Sequence, residues 1–302
     1  MSGTDRAGGA VLALGRVYCD LVFTHLDGFP VLGREVYARD LDVVAGGGAY
    51  IAAAHLAALG RHAALVARLG GDRLSRLLED ELAGSGIDLR FLDRDAADGP
   101  QVTVAMAAQG ERAFLTRRAG AACPGSLPEA LAWPQAAHLH IAEYATLAER
   151  PDLVRAARAR GLSVSLDPSW DDALIRAPGL LDACAGVEIF LPNLEEALAI
   201  TGETAPARAL DALAARFPVV ALKAGADGAF LAIGATRLHR PAKAVPVVDT
   251  TGAGDAFDAG FLDAWLAARA PEDALEAGIA SASLAVQAPG GLGRLRGDPR
   301  SI

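Results

Sequence analysis

The sequence predicts an α/β fold in which helices cover both faces of a mostly parallel central sheet, with a small additional sheet. Short apolar runs alternate with runs of helical spacing along most of the chain, and this alternation is typical of parallel sheets joined by helical crossovers. Near residue 250 an apolar run leads through a glycine-rich turn into a helix. Two β-rich segments, about 16–45 and 100–120, interrupt the alternation and predict the small sheet.

Length and composition agree with a single domain over residues 1–302. Hydrophobic residues make up 52% of the chain and charged residues 22%, so the chain can bury a large core. The net charge is −9, and the sequence has no run of Lys or Arg. This charge pattern argues against nucleic acid as a partner.

The cysteines and the apolar segments indicate a cytoplasmic protein. The chain has three cysteines, Cys19, Cys123 and Cys184, and no C-x-x-C pair, which argues against a disulfide framework or a zinc site. The first 15 residues lack the features of a secretion signal. The apolar stretch 43–60 contains three consecutive glycines and many alanines, so we interpret it as a buried strand, turn and helix and not as a membrane span.

In the N-terminal half, the elements follow from periodicity and from end signals. Residues 10–15 are an apolar run closed by a glycine, which predicts a buried strand. The predicted order then continues with a helix at 49–59, a strand at 62–70, a helix at 72–86 with Asp72 as its N-cap, and a hairpin at 101–117 that turns at Gln109-Gly110.

In the C-terminal half, strands and helices alternate again. Strands are predicted at 136–144, 162–168, 187–193 and 218–225, a hairpin at 228–243, and helices at 149–160, 193–202 and 271–287. A further strand, 244–248, is predicted to lead into the glycine-rich turn and its helix.

The glycine-rich turn is a candidate anion site. Gly252, Ala253 and Gly254 precede a helix with Phe257, Phe261 and Trp265 four residues apart. A helix N-terminus offers unpaired N–H groups and a partial positive charge, and glycines let a phosphate approach the backbone. Asp255 beside the turn could accept a proton from a hydroxyl that attacks a γ-phosphate. An ordinary turn, with an acid that complements the helix dipole, explains the motif equally well.

The segment D-T-T-G-A-G-D, residues 249–255, resembles the C-terminal signature of the ribokinase-like (PfkB) carbohydrate kinase family. Further segments resemble that family in the right order between residue 10 and about residue 291. The resemblance implies a three-layer α/β/α sandwich with a small β-sheet lid. It also implies a kinase that uses ATP, Mg²⁺ and K⁺, and a homodimer formed through the lid.

The resemblance implies a set of substrate-binding residues. The segment 14–20 resembles the family's first strand and places its substrate-binding acid at Asp20. Gly46 and Gly47 match a glycine pair that lies against the sugar, Arg112 falls in a segment similar to a lid strand, and Glu143 falls where some members have a substrate-contacting carboxylate. Without the resemblance, Asp20 is a loop acid, Arg112 an exposed hairpin residue and Glu143 an acid at a strand end.

The resemblance also implies nucleotide and metal residues. Asn193 and Glu196 match the family's N-x-x-E element, in which Glu196 would act on Mg²⁺ through water. Lys223, Gly225 and Gly228 resemble a loop that contacts nucleotide, and Asp249 would lie near a monovalent cation. From the residues alone, Asn193 and Glu196 form a capping box, and the two glycines mark only a turn.

One departure from the family bears on the substrate. The family usually has Asn at the position of Ile51, and some members that bind anionic or ribose-like substrates carry Lys at the position of Gly48. Without that cation, a neutral sugar is favoured over a sugar phosphate. A nucleoside is the alternative, since Tyr50 and Ile51 could form an apolar wall against a base. A catalytically degenerate ligand-binding protein is a third hypothesis, supported by Ile51.

A nicotinamide-dependent dehydrogenase is disfavoured by the sequence. Such an enzyme needs G-x-G-x-x-G directly after an early strand. The strand at 10–15 is followed by Arg16-Val17-Tyr18, and the glycines at 46–48 have no third small residue at the required spacing.

Overall fold

The computed structural model describes residues 8–108 and 111–296, and its main feature is a nine-stranded sheet. In chain order its strands are β1 (Ala10–Leu14), β4 (Ala63–Gly70), β5 (Leu92–Ala96), β8 (Ala136–Ile141), β9 (Ser163–Leu166), β10 (Ile189–Phe190), β11 (Val219–Lys223), β12 (Ala229–Ile233) and β13 (Thr236–Arg240). Their spatial order is β13-β12-β11-β10-β9-β8-β1-β4-β5. All neighbours from β5 to β11 run parallel, and the β12–β13 hairpin adds an antiparallel edge.

The helices lie on both faces of this sheet. They are α1 (Gly48–Ala58), α2 (Arg73–Gly84), α3 (Leu127–Ala132), α4 (Tyr144–Glu149), α5 (Leu153–Ala159), α6 (Leu180–Ala183), α7 (Leu194–Thr201), α8 (Pro206–Ala214), α9 (Ala253–Leu266) and α10 (Pro271–Ala285).

Strand β1 shows why both faces are covered. Leu12 and Leu14 pack into a core with residues of α3 to α8, whereas Val11 and Ala13 pack into a second core with residues of α1, α2 and α9. Successive side chains of a strand point to opposite faces, so an apolar run needs a hydrophobic partner on each side. All five residues of β1 are buried. The predicted three-layer α/β/α sandwich is confirmed.

A separate four-stranded sheet, which we call the small sheet, stands beside the main one. It contains β2 (Tyr18–Thr24), β3 (Asp40–Gly46), β6 (Gln101–Ala108) and β7 (Glu111–Arg117) in the order β3-β2-β6-β7. Strands β2 and β6 pair in parallel and the other pairs are antiparallel. The predicted turn residues Gln109 and Gly110 lie outside the described residues.

Two predicted elements were wrong in detail. Residues 244–248 are not a strand: Val247 and Val248 are exposed, and this segment makes a single backbone bond to Val286. Their β-branched composition predicted a strand, but no strand edge lies beside them to pair with. The helix predicted at 149–160 begins later, as α5 (Leu153–Ala159): Glu149 is the last residue of α4, and Pro151 between the two helices has no N–H to donate.

Candidate active site

A cavity of about 170 Å³ opens where β1 and β8 end and where α1 and α9 begin. Carboxyl ends of parallel strands are the usual ligand sites of such sheets. The lining residues are Gly15, Arg16, Tyr18, Asp20, Gly47, Gly48, Ala49, Ile51, Ala142, Glu143, Ser169, Thr251, Gly252 and Asp255. Two main-sheet strands, a strand of the small sheet and two helices thus meet around one space.

Asp255 lies in the first turn of α9, behind Gly252 as the N-cap residue. Burial and, after it, the nearby Asp167 carboxylate raise the pKa of its carboxyl to about 7, although the Lys223 ammonium opposes the shift. A carboxylate with a pKa near neutrality is a better proton acceptor than an ordinary aspartate. Asp255 therefore has the chemistry of a general base and faces the cavity.

Three consecutive glycines allow the close packing around this carboxylate. A Cβ on Gly46 would overlap Oδ2 of Asp20, and a Cβ on Gly47 would overlap the carbonyl oxygen of Arg16. Gly47 also has a φ of +100°, which L-residues with side chains rarely adopt. A Cβ on Gly48 would lie 2.7 Å from Oδ1 of Asp255. Each glycine thus makes room for a different group of the site.

Arg16 and Glu143 form a buried ion pair in the cavity wall. Arg16 Nη1 donates to Glu143 Oε1 at 2.6 Å, and Nη2 donates to Glu149 and, at 3.3 Å, to the carbonyl of Gly120. Oε2 of Glu143 accepts a bond of 3.3 Å from the Tyr18 hydroxyl. Glu143 is therefore held in place and still has acceptor capacity toward the cavity.

A second buried cluster lies behind Asp255. The Nζ atom of Lys223, at the end of β11, is 2.7 Å from Oδ2 of Asp167 and 3.1 Å from Oδ1 of Asp258. The side chain of Lys223 is only 11% exposed and that of Asp258 is fully buried. The two carboxylates hold the pKa of Lys223 above its usual range despite its burial. Lys223 is therefore charged and doubly ion-paired.

Asn193 and Glu196 form the capping box of α7. The Asn193 side chain accepts the N–H of Glu196 at 2.9 Å, and Glu196 Oε2 accepts the N–H of Asn193 at 2.8 Å. Burial raises the pKa of Glu196 to about 7, with a further contribution from Asp167. The backbone N–H of Lys223 donates to Pro192 at 2.9 Å, so this cap lies beside the end of β11. Glu196 thus belongs to the same acidic region as Asp167 and Asp255.

The loops next to the anion turn, which is our name for Gly252, Ala253 and Gly254, are tightly packed. Gly252 has a φ of +71°, and a Cβ there would lie 2.5 Å from the Cα of Gly291. The carboxylate of Asp249 accepts N–H bonds of 3.0 Å from Thr251 and from Gly290. On the other side, Ile51 packs so closely on Gly291 that no Cβ would fit there. The turn is therefore enclosed between Asp249 and α1.

The loop after β11 reverses the chain into β12. Gly225 and Gly228 have φ values of +57° and +86°, and a Cβ on Gly228 would overlap the carbonyl oxygen of Arg240. Both glycines are thus required by the turn. A role in nucleotide contact for these glycines stays a prediction.

The structure brings together only part of the predicted set. Asp20, Gly47, Glu143, Gly252 and Asp255 line the cavity, and Gly46, Ala253 and Gly254 adjoin it in the chain. The other predicted residues lie outside the lining, namely Asn193, Glu196, Lys223, Gly225, Gly228 and Asp249. The backbone of Arg112 pairs with Ala107 in the small sheet, and its side chain is outside the described part of the structure.

Three residues at the site escaped the sequence reasoning. Arg16, Asp167 and Asp258 each lie beside a predicted residue in space, but their partners are distant in the sequence or in another element. A strand-end position was the only available signal for Arg16 and Asp167, and it did not indicate which residue they would contact.

The fold and the cavity define an α/β protein with a small-molecule site at the carboxyl ends of its parallel strands. The chain belongs to the pfkB family of carbohydrate kinases, whose family model matches residues 11–294.

Named relatives agree with this membership. A fructokinase of Klebsiella pneumoniae is 33% identical over 243 residues, covering 76% of this chain and 78% of that protein. An ATP-dependent ribose-1-phosphate kinase of Halopiger xanaduensis is 30% identical, covering 85% and 84%. Among solved structures, Arabidopsis thaliana ribokinase complexed with ribose and ATP matches with a TM-score of 0.82 at 24% identity, covering 94% and 95%. That likeness shows the fold.

Proposed function

We propose that this protein transfers the γ-phosphoryl group of MgATP to a hydroxyl of a neutral sugar. The charge of the cavity wall carries this proposal. Asp20, Glu143 and Asp255 line it, and among the described lining residues Arg16 is the one cation, ion-paired with Glu143 and Glu149. A wall with three carboxyl groups and one cation, which is itself ion-paired, disfavours an anionic substrate and suits a polyol, whose hydroxyls donate to carboxylates.

The proposed roles follow from position. Asp20 and Glu143 accept hydrogen bonds from sugar hydroxyls and orient the ring, next to Gly46 and Gly47. Asp255 accepts the proton of the attacking hydroxyl as the oxygen bonds to the γ-phosphorus and the bond to ADP breaks. The N-terminal end of α9, at Gly252, Ala253 and Gly254, stabilises the charge on the phosphoryl group in transit.

Nucleotide and Mg²⁺ would lie on the Asn193 and Glu196 side of the site. Lys223, Gly225 and Gly228 are the further nucleotide-binding candidates. Among the described residues, no group of three His, Cys, Asp or Glu could hold a metal directly. The carboxylate of Glu196 fits Mg²⁺ bound through water, since Mg²⁺ keeps several waters. Bound Mg²⁺ would neutralise phosphate charge, and Asp249 with the neighbouring loop is the proposed place for K⁺.

A nucleoside is the second candidate substrate. Ile51 lines the cavity with a fully apolar side chain where the family usually has a polar one, and a nucleobase could pack against it. Tyr50 does not contribute to this wall, because its side chain is fully buried and lies outside the lining. A degenerate binding protein is less well supported, since Asp255 and its glycine turn are both present.

We further propose that residues 1–302 form one kinase unit and that the small sheet acts as its lid, with Arg112 facing substrate.

One face of this sheet carries exposed apolar side chains, with Leu41 52% and Leu115 68% exposed. A second copy covering this face would make a homodimer. Light scattering on wild type and Leu115→Asp checks this, and a monomeric wild type would contradict it.

We propose the cytoplasm as the compartment, because Cys19, Cys123 and Cys184 are free thiols. Across the described residues, every helix is too short or too polar to cross a bilayer.

The deciding experiment measures ADP release from MgATP against a panel of sugars, sugar acids and nucleosides. Wild type is compared with Asp255→Asn and with the control Asp273→Asn, which changes an exposed acid of α10. We expect one substrate to drive ADP release, and Asp255→Asn to lose about 100-fold to 10,000-fold of that rate. Full activity of Asp255→Asn would contradict the proposed role, and a response to nucleosides alone would favour the second candidate.

A further inference from the structure

The Lys223 cluster connects two parts of the reaction site. On one side, Asp258 lies on α9 three residues after Asp255, about one helical turn further along. On the other side, Asp167 follows β9, and its Oδ1 accepts the N–H of Ser169 at 2.9 Å. Ser169 lines the cavity with a φ of +52°, a conformation that residues with side chains rarely adopt. Lys223 binds both carboxylates.

The ammonium of Lys223 is thus enclosed by protein. Its side chain is 11% exposed, and both near partners are 8% exposed or less. A Cβ on Gly254 would lie 3.5 Å from Nζ, so the ammonium lies directly behind the anion turn. A compact ammonium fits this space between two carboxylates, whereas the planar guanidinium of arginine is larger.

The composition of the chain makes this lysine unusual. Of 28 basic residues, 26 are arginine, and Lys223 and Lys243 are the two lysines. Lys243 is exposed. The chain therefore uses arginine at nearly every other basic position and keeps lysine where an ammonium must fit inside the protein.

The two carboxyl groups that contact Lys223, those of Asp167 and Asp258, have pKa values that are shifted in opposite directions. The pKa of Asp167 lies below its usual range, because Lys223 and hydrogen bonds from Asp258 and Ser169 outweigh burial. Burial and the neighbouring Asp167 hold the pKa of Asp258 above its usual range. Asp167 is therefore the carboxyl of this pair that ionises more readily beside Lys223. The other groups whose charges act on Asp255 or respond to it are Glu196 on α7 and Tyr18 on β2.

We propose that Lys223 is a positioning residue for phosphoryl transfer, whose ammonium holds Asp258 and Asp167 together and thereby fixes Asp255 and Ser169 on opposite sides of the site. This inference rests on the proposed function of Asp255. It replaces the nucleotide-binding role named above for Lys223, because the ammonium of Lys223 is directed at two protein carboxylates. Loss of either contact of Lys223, with Asp167 or with Asp258, would move the Asp255 carboxylate relative to the sugar hydroxyl. A misplacement of about 1 Å can cost about 100-fold in rate.

The test separates positioning from nucleotide binding. Lys223→Met is compared with the control Lys243→Met for kcat at saturating substrates and for the Kd of MgADP measured by calorimetry. We expect Lys223→Met to lose about 100-fold in kcat, with a Kd for MgADP within about threefold of wild type. A loss explained by weaker MgADP binding would overturn the proposal, as would a folded variant with kcat within about threefold of wild type.

A second pair of variants covers the case in which Lys223→Met does not fold. Asp258→Leu removes the tie to α9, and Lys223→Met/Asp258→Leu removes two buried charged or polar groups together, which leaves fewer groups without partners. Residues that act as a unit give non-additive losses. We therefore expect the double variant to lose scarcely more kcat than Asp258→Leu alone, and a kcat of Asp258→Leu equal to wild type would overturn the proposal. If Asp255→Asn is fully active, the proposed function fails instead, whatever Lys223 does.

Discussion

Gly48 and Asp255 lie next to each other in the cavity wall, although they belong to the first turns of two different helices, α1 and α9, and are 207 positions apart in the sequence. A Cβ at position 48 would lie 2.7 Å from Oδ1 of Asp255 and 3.2 Å from the Cβ of Ala142. The absence of a side chain at this position therefore lets the N-terminal end of α1 approach the proposed base.

We expect Gly48→Ala to lower kcat by about 10-fold to 100-fold, because the added methyl group displaces the Asp255 carboxylate. Kinetics of ADP release with the identified substrate would measure this. Gly71→Ala is the matched control, since a Cβ there would meet nothing within 4 Å. Equal rates for both variants would show that Asp255 can move away without loss.

We expect Gly46→Ala to act on substrate affinity. Its Cβ would overlap Oδ2 of Asp20, so the carboxylate that is proposed to bind the sugar must turn away. A hydrogen bond to a charged group contributes about 1.5–3 kcal/mol, which corresponds to a rise in KM for the sugar of about 10-fold or more. KM for MgATP should remain unchanged, and a parallel rise in both values would contradict this assignment.

The rate should depend on pH near neutrality. A general base must be ionised, and the pKa of Asp255 lies at about 7, so kcat/KM should rise as pH increases through about 7. Glu196 has a pKa of about 7 as well and can contribute to the same rise. Profiles of wild type and Glu196→Gln would separate the two groups, since Asp255 alone should then give a one-proton rise. A flat profile from pH 5 to 8 would contradict the role of Asp255.

The buried pair Arg16–Glu143 should matter for stability as well as for substrate. Arg16→Met leaves a buried carboxylate without its cation, which typically costs about 3–5 kcal/mol. Urea unfolding would measure the loss. We expect Arg16→Met/Glu143→Gln to recover part of it, because the second change removes the uncompensated charge. If the double variant were the less stable of the two, the pair would not be the cause.

Two buried histidines should make stability depend on pH. Burial lowers the pKa of His138 to about 3 and that of His140 to about 4, and both bond to the Ser165 hydroxyl. Between these values and pH 6.5, the unfolded chain binds protons that the native protein does not. The contribution of the two neutral histidines to the free energy of unfolding is therefore complete above pH 6.5 and is lost as pH falls. Each histidine should cost about 2 kcal/mol between pH 6.5 and 5.

Asp255 and Glu196 act in the opposite sense over part of the same range, because their pKa values are raised in the folded protein. Their contribution is present at low pH and is lost as pH rises toward 7. The informative quantity is therefore the difference between wild type and His138→Asn/His140→Asn in urea unfolding at several pH values. We expect the double variant to lose less stability on acidification, and parallel curves would contradict this.

The sequence predicted the parts of the site that are local in the chain. The glycine turn and Asp255 lie within a few residues of each other, and the Asn193–Glu196 cap spans one helical turn. The parts that it did not predict depend on contacts between distant residues. Arg16 and Glu143 are 127 positions apart, and Lys223 and Asp167 are 56 apart. No periodicity or turn signal connects such pairs, because the sheet order that brings them together is a property of the whole chain.

The same distinction explains the strand that was wrongly predicted at 244–248. Its valines have the composition of a strand, but a strand also needs a neighbour with free backbone groups. Here β13 ends at Arg240, and the backbone N–H of Val248 donates to Val286 of the segment after α10 instead of to a strand.

Ile51 and Gly291 are in contact, although they lie in two segments that would be exchanged separately when chimeric enzymes are built. Ile51 fills the space that any side chain at 291 would need, and Gly291 in turn supports Gly252. The residues at these two positions therefore have to be changed together. A chimera that keeps α1 of this chain but takes a C-terminal segment with a larger residue at 291 would have a steric clash between that residue and Ile51, next to Gly252. Shortening Ile51 would have to come first in any evolutionary path toward such a segment.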